Sequence, residues 1–544
     1  MALLDIRDLS VWFGERKAVD RASLTVEPGE VLGIVGESGS GKSMLARAAL
    51  GLLPDGARRD AQVLALLGQD LLGADAETWR KLRGPGIGLV LQEPLTSLNP
   101  AMRIGEQMAE ALELHRGLSH PEALARAARA LEDVRIDEPE AALRRYPHEF
   151  SGGQRQRVMV ASVLLLEPKL VIADEPATAL DAVVGEEILD LIQARARAVG
   201  AAVMMISHDL AQVARRADRI LVMEKGVIVD GGPSGDILLR PQHAYTRRLL
   251  AALPRRAGAG GRAERPAQPI VVARDLGLKY DGGGRSFLGR APTRRALRGV
   301  DFELAAGETL AVIGESGSGK SSLAMLTLGL LAPSEGTLTI DGRSWSDRGR
   351  RERRELRRRI QVVFQDPASS LDPRMRVAEI VGEGLREPGR AERDRRVAAA
   401  LDEVGLDAGF AGRYPHQLSG GQRQRVAIAR ALVMDPEVLV ADEPVSALDV
   451  TVQAQILDLL DRLRRERGFA MLFVTHDLGV VERLADRVMV MRDGRVVEAG
   501  TRDEVFDAPR DPYTRRLLSV APVLVPEGDG YRLERRRVAA GEAA

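Results

Sequence analysis

The chain has 544 residues, 78 basic and 78 acidic side chains, and no cysteine. The length leaves room for several domains with sizeable cores. Zero net charge gives no argument for a bulk polyanion partner, and the lack of cysteine excludes disulfides, thiolate metal sites and cysteine-ligated iron–sulfur clusters, which suits a reducing compartment. No stretch approaches about 18 uninterrupted apolar residues, and residues 1–5 carry no charged segment leading into a long apolar one. A soluble protein is therefore expected, any membrane role requiring partners.

In chain order, the first strong signal follows the apolar run 31–35: Gly36, Glu37, Ser38, Gly39, Ser40, Gly41, Lys42 and Ser43. This octapeptide fits the phosphate-binding pattern G-x-x-x-x-G-K-[ST] and precedes a helical pattern. Its glycines let the backbone turn and present N–H groups to phosphate oxygens. The lysine brings a charge to the β/γ-phosphates, and the serine hydroxyl can ligate Mg²⁺. Only seven lysines occur in the chain, and Lys42 is one of them.

Next, a strand-like run (89–91) ends at Gln92, a position suited to an Mg²⁺ or water contact. Residues 155–166 and 185–198 carry helical spacing, whereas the run 170–173 stops at the acidic pair Asp174 and Glu175. Asp174 can hold Mg²⁺ through water, and Glu175 is suited to orient or deprotonate a water attacking the γ-phosphate. His208 follows the strand 202–206 and is read as a γ-phosphate sensor. Strands that stop at polar residues on their carboxyl ends, alternating with helices, predict an α/β domain with a mostly parallel sheet and its ligand site at the strand ends.

The whole pattern then recurs. A second octapeptide, Gly314, Glu315, Ser316, Gly317, Ser318, Gly319, Lys320 and Ser321, follows the run 309–313. Gln365, Asp442, Glu443 and His476 repeat Gln92, Asp174, Glu175 and His208, and Tyr-Thr-Arg-Arg-Leu-Leu at 245–250 returns unchanged at 513–518. From Tyr146 onward the offset is constant. Before that it drifts, through an insertion near 282–292 and a shorter stretch between octapeptide and residue 419 in the second copy. This is a tandem domain duplication rather than a solenoid. The expected organisation is domain 1 (1–253), a flexible Gly/Pro/Ala/Arg linker (254–269), domain 2 (270–526) and a loosely ordered charged tail (527–544). The linker could span about 50 Å extended, enough to let the domains pair intramolecularly, although pairing with a second chain stays open. The arginine-rich run 348–359 is read as a solvated helix leading into a strand at 360–364 rather than a nucleic-acid or headgroup patch.

Ser151, Gly152, Gly153 and Gln154, and again Ser419, Gly420, Gly421 and Gln422, resemble the signature motif of ABC-type ATPases. A serine hydroxyl and glycine amides ahead of a helix form an anion site at its N-terminus. The resemblance implies two tandem P-loop NTPase domains, each with a mostly parallel core sheet and a helical subdomain carrying the signature, and it implies ATP with Mg²⁺ as cofactors. It also implies head-to-tail composite sites. One would pair Lys42, Ser43, Gln92, Asp174, Glu175 and His208 with Ser419–Gln422, and the other Lys320, Ser321, Gln365, Asp442, Glu443 and His476 with Ser151–Gln154. Residues 179–181 and 447–449 are similar to the D-loops crossing that interface. Phe13 and Tyr280 are similar to the aromatic that stacks on adenine, with Trp12 a rival in the first copy.

Residues 92–100, 365–373 and the two Tyr-Thr-Arg-Arg-Leu-Leu helices resemble the oligopeptide/dipeptide/nickel importer branch. That implies two transmembrane permease subunits docking near Gln92 and Gln365, an extracellular or periplasmic solute-binding protein, and a place on the cytoplasmic face of the inner membrane. The cysteine cluster of some relatives is absent. The first copy departs more from the branch pattern, with Phe150, Ser162 and residues 182–187 where the second keeps Leu418, Arg430 and 450–455; both sites are nonetheless expected to hydrolyse ATP. The rival is a soluble ABC ATPase acting on nucleic acid or ribosomes; the short glycine-rich linker and missing cysteines weigh against it.

Overall fold

The computed structural model describes residues 2–92, 97–178, 180–253, 268–286, 289–385, 389–446, 448–520, 522–527 and 530–535. They form two units: one holds the residues up to Ala252 together with the C-terminal hairpin from Pro522, the other the residues between.

In the first unit, apolar β-branched runs too short for helices become buried parallel strands. Their order is Val227–Pro233, Arg219–Glu224, Val31–Val35, Ala202–Ser207, Leu170–Asp174, Ile87–Val90, with only the outermost pair, Arg219–Glu224 and Val227–Pro233, antiparallel. Val31–Val35 therefore runs inside the sheet, and the residues that follow it emerge at the carboxyl ends of its neighbours, where open α/β sheets place ligands. A second, antiparallel sheet joins Arg16–Val26, Leu4–Phe13, Val63–Leu66 and Gln69–Asp70. One apolar cluster unites Leu4, Ile6 and Leu9 of that sheet with Leu45 and Leu50 at the helix Lys42–Ala49 and with Ile172 and Met204 of the parallel sheet. Each such fully buried side chain contributes about 1.5–3 kcal/mol, so the helix that starts at Lys42 is fixed from both sides.

Helices Ile104–Arg116, His120–Asp133 and Gly152–Leu164 build a separate apolar cluster, including Met108, Leu112, Leu131 and Val158. This is the helical subdomain, and its last helix carries the signature.

The second unit repeats this plan. Its strand order is Ile360–Val363, Val438–Asp442, Ala470–Val474, Thr309–Ile313, Arg487–Arg492, Arg495–Thr501, all parallel but the last pair. The insertion near 282–292 lengthens a hairpin, Pro269–Ser286 against Gly289–Ala305. Helix Arg350–Arg359 runs straight into Ile360–Val363; Leu356 is buried beneath it, and Arg359 pairs with Glu437 and Asp341.

Three expectations are corrected. The helices expected from residues 155 and 185 begin at Gly152 and Ala182, because Ser151 and Asp181 cap them. Pro269, assigned to the linker, opens a strand; 254–267 lie outside the described residues. The tail expected to be loose from Glu527 holds a hairpin, Pro522–Glu527 paired with Gly530–Arg535. Gly530 sits so close to the helix Ser234–Leu239 that a Cβ would lie 2.2 Å from the Leu239 carbonyl oxygen, so packing on the first unit orders what composition alone leaves polar. Residues 536–544 lie outside the described residues. Among the described residues no helix is long and apolar enough to cross a membrane.

Candidate active site

Both octapeptides fold as phosphate loops at the end of a central strand. Gly41 and Gly319 cap the following helices at φ 102° and 103°, a conformation that favours glycine. At Gly36 and Gly314 a Cβ would meet the Met223 and Met491 carbonyl oxygens at 2.2 and 2.1 Å. Ser38, Gly39, Ser316 and Gly317 form the exposed tips, while Ser40 and Ser318 are buried. Lys42 is only 4% exposed; its ammonium donates to the Gly36 and Glu37 carbonyls at 2.7 and 2.9 Å. Lys320 does the same to Gly314 and Glu315, at 2.7 and 2.8 Å. A buried charge aimed along the loop is placed to meet a phosphate.

The acidic residues converge on the same spot from the strand two places along the sheet. Ser43 donates to Asp174 at 3.0 Å, and Ser321 to Asp442 at 3.4 Å. A hydroxyl beside a carboxylate is an all-oxygen donor pair suited to a hard, hydrated cation such as Mg²⁺. Burial, and next to it the neighbouring Glu443 charge, push Asp442 above its ordinary carboxylate range; burial also raises Asp174, against the Ser43 hydrogen bond.

Glu175 and Glu443 are held at φ 48° and 47°, left-handed conformations that a non-glycine residue adopts at a cost of about 1–3 kcal/mol. Each backbone N–H is fixed by the neighbouring strand, to the Ile206 and Val474 carbonyls, both at 2.9 Å. The histidines face these carboxylates: His208 Nδ1 lies 3.3 Å from Glu175 and His476 Nδ1 3.1 Å from Glu443. Burial opposes charge on all four groups, yet each histidine–glutamate contact outweighs it. The imidazoles titrate above, and the glutamates below, their ordinary ranges.

The remaining donors to the glutamates differ between copies. Gln365 donates to Glu443 at 2.9 Å, whereas Gln92 makes no such bond to Glu175 among the described residues. There Thr178 donates to the Glu175 carboxylate at 3.0 Å, while its counterpart Ser446 turns to the Glu443 backbone carbonyl. Sequence reading assigned no role to Thr178.

In each signature the serine accepts from the glutamine N–H and the glutamine side chain accepts from the serine N–H, a reciprocal cap on helices Gly152–Leu164 and Gly420–Leu432. Ser151, Gly152 and Ser419 are exposed within their own unit, and Gly153, Gln154, Gly420, Gly421 and Gln422 half-buried. A Cβ on Gly153 or Gly421 would crowd Val184 or Val452 at 2.8 or 2.4 Å, so these glycines allow close approach to the helices that follow Asp181 and Asp449. Ala179 and Ala447 lie outside the described residues. Of the aromatics, Tyr280 reaches its loop helix, its hydroxyl 3.2 Å from Ser322. Phe13 is half-buried at a strand end, and Trp12 lies beneath Lys17 and Arg58.

This geometry is matched by sequence models of whole families. Residues 19–178 and 297–446 match the family described as ABC transporter. The chain belongs to the ABC transporter family. Residues 229–282 and 497–543 of this ABC protein also match the model described as Oligopeptide/dipeptide transporter, C-terminal region. It is 46% identical over 95% of its length to the Peptidoglycan transport ATP-binding protein YejF of Agrobacterium fabrum, covering 96% of that protein. It is 43% identical over 96% of its length to the Glutathione import ATP-binding protein GsiA of Pectobacterium atrosepticum, covering 90% of it. Among solved structures, a dimeric post-hydrolysis state of the ATP-binding cassette MJ0796 bound to ADP and Pi is similar, at 34% identity, a TM-score of 0.39, and coverage of 43% of this chain and 99% of that one. As a member of this family the protein is an ATPase whose hydrolysis is coupled to transport.

The two ABC cassettes are braced differently behind the site. In the first, buried Glu186 bonds Arg216 at 2.6 Å and Arg215 at 2.7 Å, and Arg216 also meets Asp190 at 2.6 Å. This joins the helix after Asp181 to the one after His208. In the second, Ala454 and Leu484 replace Glu186 and Arg216, and Gln453 bonds Asp477 at 2.9 Å instead. Arg430 donates from the second signature helix to the Ser370 carbonyl at 2.6 Å, whereas Ser162 bonds back to Val158 within its own helix. Phe150 and Leu418 both simply fill the helical core, at 4% and 5% exposure.

Proposed function

We propose that this chain is the ATP-binding, ATP-hydrolysing subunit of an importer for di- or oligopeptides or related small solutes, with one ATP site on each cassette completed head-to-tail by the signature of the other. The observation that carries the transport class is the C-terminal match in both cassettes to the oligopeptide/dipeptide transporter model, alongside a peptidoglycan transport relative and a glutathione import relative over nearly the whole chain. The composite architecture is supported by the exposure of each signature serine and by the helix N-terminus behind it, which favours an anion.

In this reading Lys42 and Lys320 hold the β/γ-phosphates, and N–H groups of the loops Gly36–Ser43 and Gly314–Ser321, other than those of Glu37 and Glu315, cradle them. Ser43 with Asp174 and Gln92, and Ser321 with Asp442 and Gln365, would hold Mg²⁺, which would supply positive charge to offset that of the phosphates. Glu175 and Glu443, kept ionised by the adjacent histidine, orient the attacking water and accept its proton. His208 and His476, whose charged form those glutamates favour against burial, can donate to a γ-phosphate oxygen. Phe13 and Tyr280 are offered as adenine-stacking residues. Binding of two ATP molecules closes the cassettes, and hydrolysis with product release reopens them. Two permease subunits dock near Gln92 and Gln365, a solute-binding protein delivers cargo outside, and the chain sits on the cytoplasmic face of the inner membrane. No nucleic acid takes part.

Purification from the native membrane tests the partners: two permease subunits should accompany the chain. Labelled di- and oligopeptides and glutathione, offered to a deletion strain, test the cargo. Unchanged uptake of all of them would exclude the peptide class, and stable ribosome or DNA association without permeases would overturn the transport role.

A further inference from the structure

We propose that Tyr245 and Tyr513 position the phosphate loops, so that the C-terminal helix of each cassette sets its affinity for ATP. The helices Ala244–Ala252 and Pro512–Val520 lie outside the matched ABC transporter segments and inside the matched C-terminal region. Each nevertheless sends one buried side chain to the loop. The Tyr245 hydroxyl accepts the Glu37 N–H at 3.0 Å, and the Tyr513 hydroxyl accepts the Glu315 N–H at 3.0 Å. The rings are 2% and 5% exposed.

The partner residue is what gives this bond a consequence. Glu37 carries, on its carbonyl, one of the two backbone bonds that hold the Lys42 ammonium; Glu315 does the same for Lys320. Tyrosine therefore pins the N–H side of a residue whose carbonyl side holds the phosphate-binding lysine. Both residues follow the closely packed glycines Gly36 and Gly314, where the chain leaves the central strand. The surroundings of the two rings are not copies of each other. Arg248, from the same helix, lies over Tyr245, whereas Arg492, from the strand Arg487–Arg492, lies over Tyr513. The hydroxyl-to-loop bond is the part they share. The tyrosines act through the loop and its lysine, so they are positioning residues, not catalytic ones.

The inference rests on Lys42 and Lys320 being phosphate ligands, and the test separates the two claims. In full-length chain carrying Lys320→Ala, which leaves the first site to be read alone, Tyr245→Phe should weaken equilibrium ATP binding about ten-fold, because a loop no longer pinned must be ordered at the expense of ATP binding. Single-turnover hydrolysis at saturating ATP should stay within about two-fold, because the contact is made before and during the reaction alike. Tyr513→Phe in a Lys42→Ala chain should mirror this. Thr246→Val, on the same helix as Tyr245, removes a bond to Asp230 of the strand Val227–Pro233 (2.7 Å) without touching the loop, and should leave ATP affinity unchanged. Wild-type affinity in both tyrosine variants, or an equal loss in Thr246→Val, overturns the inference. Wild-type ATP binding in a Lys42→Ala/Lys320→Ala chain would instead overturn the lysine assignment on which it stands.

Discussion

The first and second cassettes bring a lysine, a serine, an aspartate, a glutamate and a histidine to the same strand ends, but they brace the glutamate with different donors. Glu175 is held by Thr178, three residues on in its own loop; Glu443 is held by Gln365, across from another strand. Behind the site, the first cassette relies on a buried ion cluster around Glu186. The second has Ala454 and Leu484 in place of Glu186 and Arg216, joins the same two helices through Gln453–Asp477 and Arg483–Asp458, and ties its signature helix through Arg430 to Ser370 in the segment after Gln365. One arrangement of reacting groups is thus supported by two wirings. Among the described residues, the glutamate is bonded to the segment proposed to meet a permease in the second cassette and not in the first.

The largest expected break in this comparison is at Glu186. Glu186→Ala leaves the Arg216 guanidinium, whose side chain is 2% exposed, short of its main partner, and should destabilise the first cassette by about 3–5 kcal/mol. Adding Arg216→Leu, the residue found in the second cassette at Leu484, should restore most of that loss; calorimetric unfolding of both variants measures it. An intermediate effect is expected at Gln365→Ala, which removes a hydrogen bond to a charged group worth about 1.5–3 kcal/mol and should slow second-site single-turnover hydrolysis about ten-fold. Gln92→Ala should change the first site less, and Thr178→Val more than Gln92→Ala. Equal losses from both glutamine variants would remove the distinction.

The smallest effect is in titration. Each histidine–glutamate pair contributes stability from the ordinary glutamate range up to the ordinary histidine range. The contribution is lost as pH rises through the raised histidine pKa, and as pH falls through the lowered glutamate pKa. In nucleotide-free protein, NMR titration should place His208 and His476 above the usual imidazole value. Glu175→Gln should return His208, but not His476, toward it.

Much of this was legible in the sequence because the groups involved obey local rules. The glycines of the phosphate loop, the acidic pair at a strand's end and the serine–glycine run ahead of a helix each follow from a few adjacent residues, and duplication marked them twice. Tyr245 was visible only as part of a repeated helix, since its contact with Glu37 joins distant segments and follows no spacing rule. Thr178 and Gln365 were unreadable as alternatives, because which donor reaches the carboxylate depends on side-chain direction in a folded loop. The departures at 182–187 were visible as differences, but their cause, a charge at Glu186 answering Arg216, needed the packing of two helices. The hairpin from Pro522 was hidden because its second strand, Gly530–Arg535, is half charged and gives no sign of the surface it packs on.

The most direct measurement is steady-state ATP turnover of the full chain carrying Glu175→Gln or Glu443→Gln. With two hydrolytic sites that act as one clamp, each substitution alone should lower turnover strongly, by about 10²-fold for loss of a general base. Wild-type turnover in either variant would contradict two working sites.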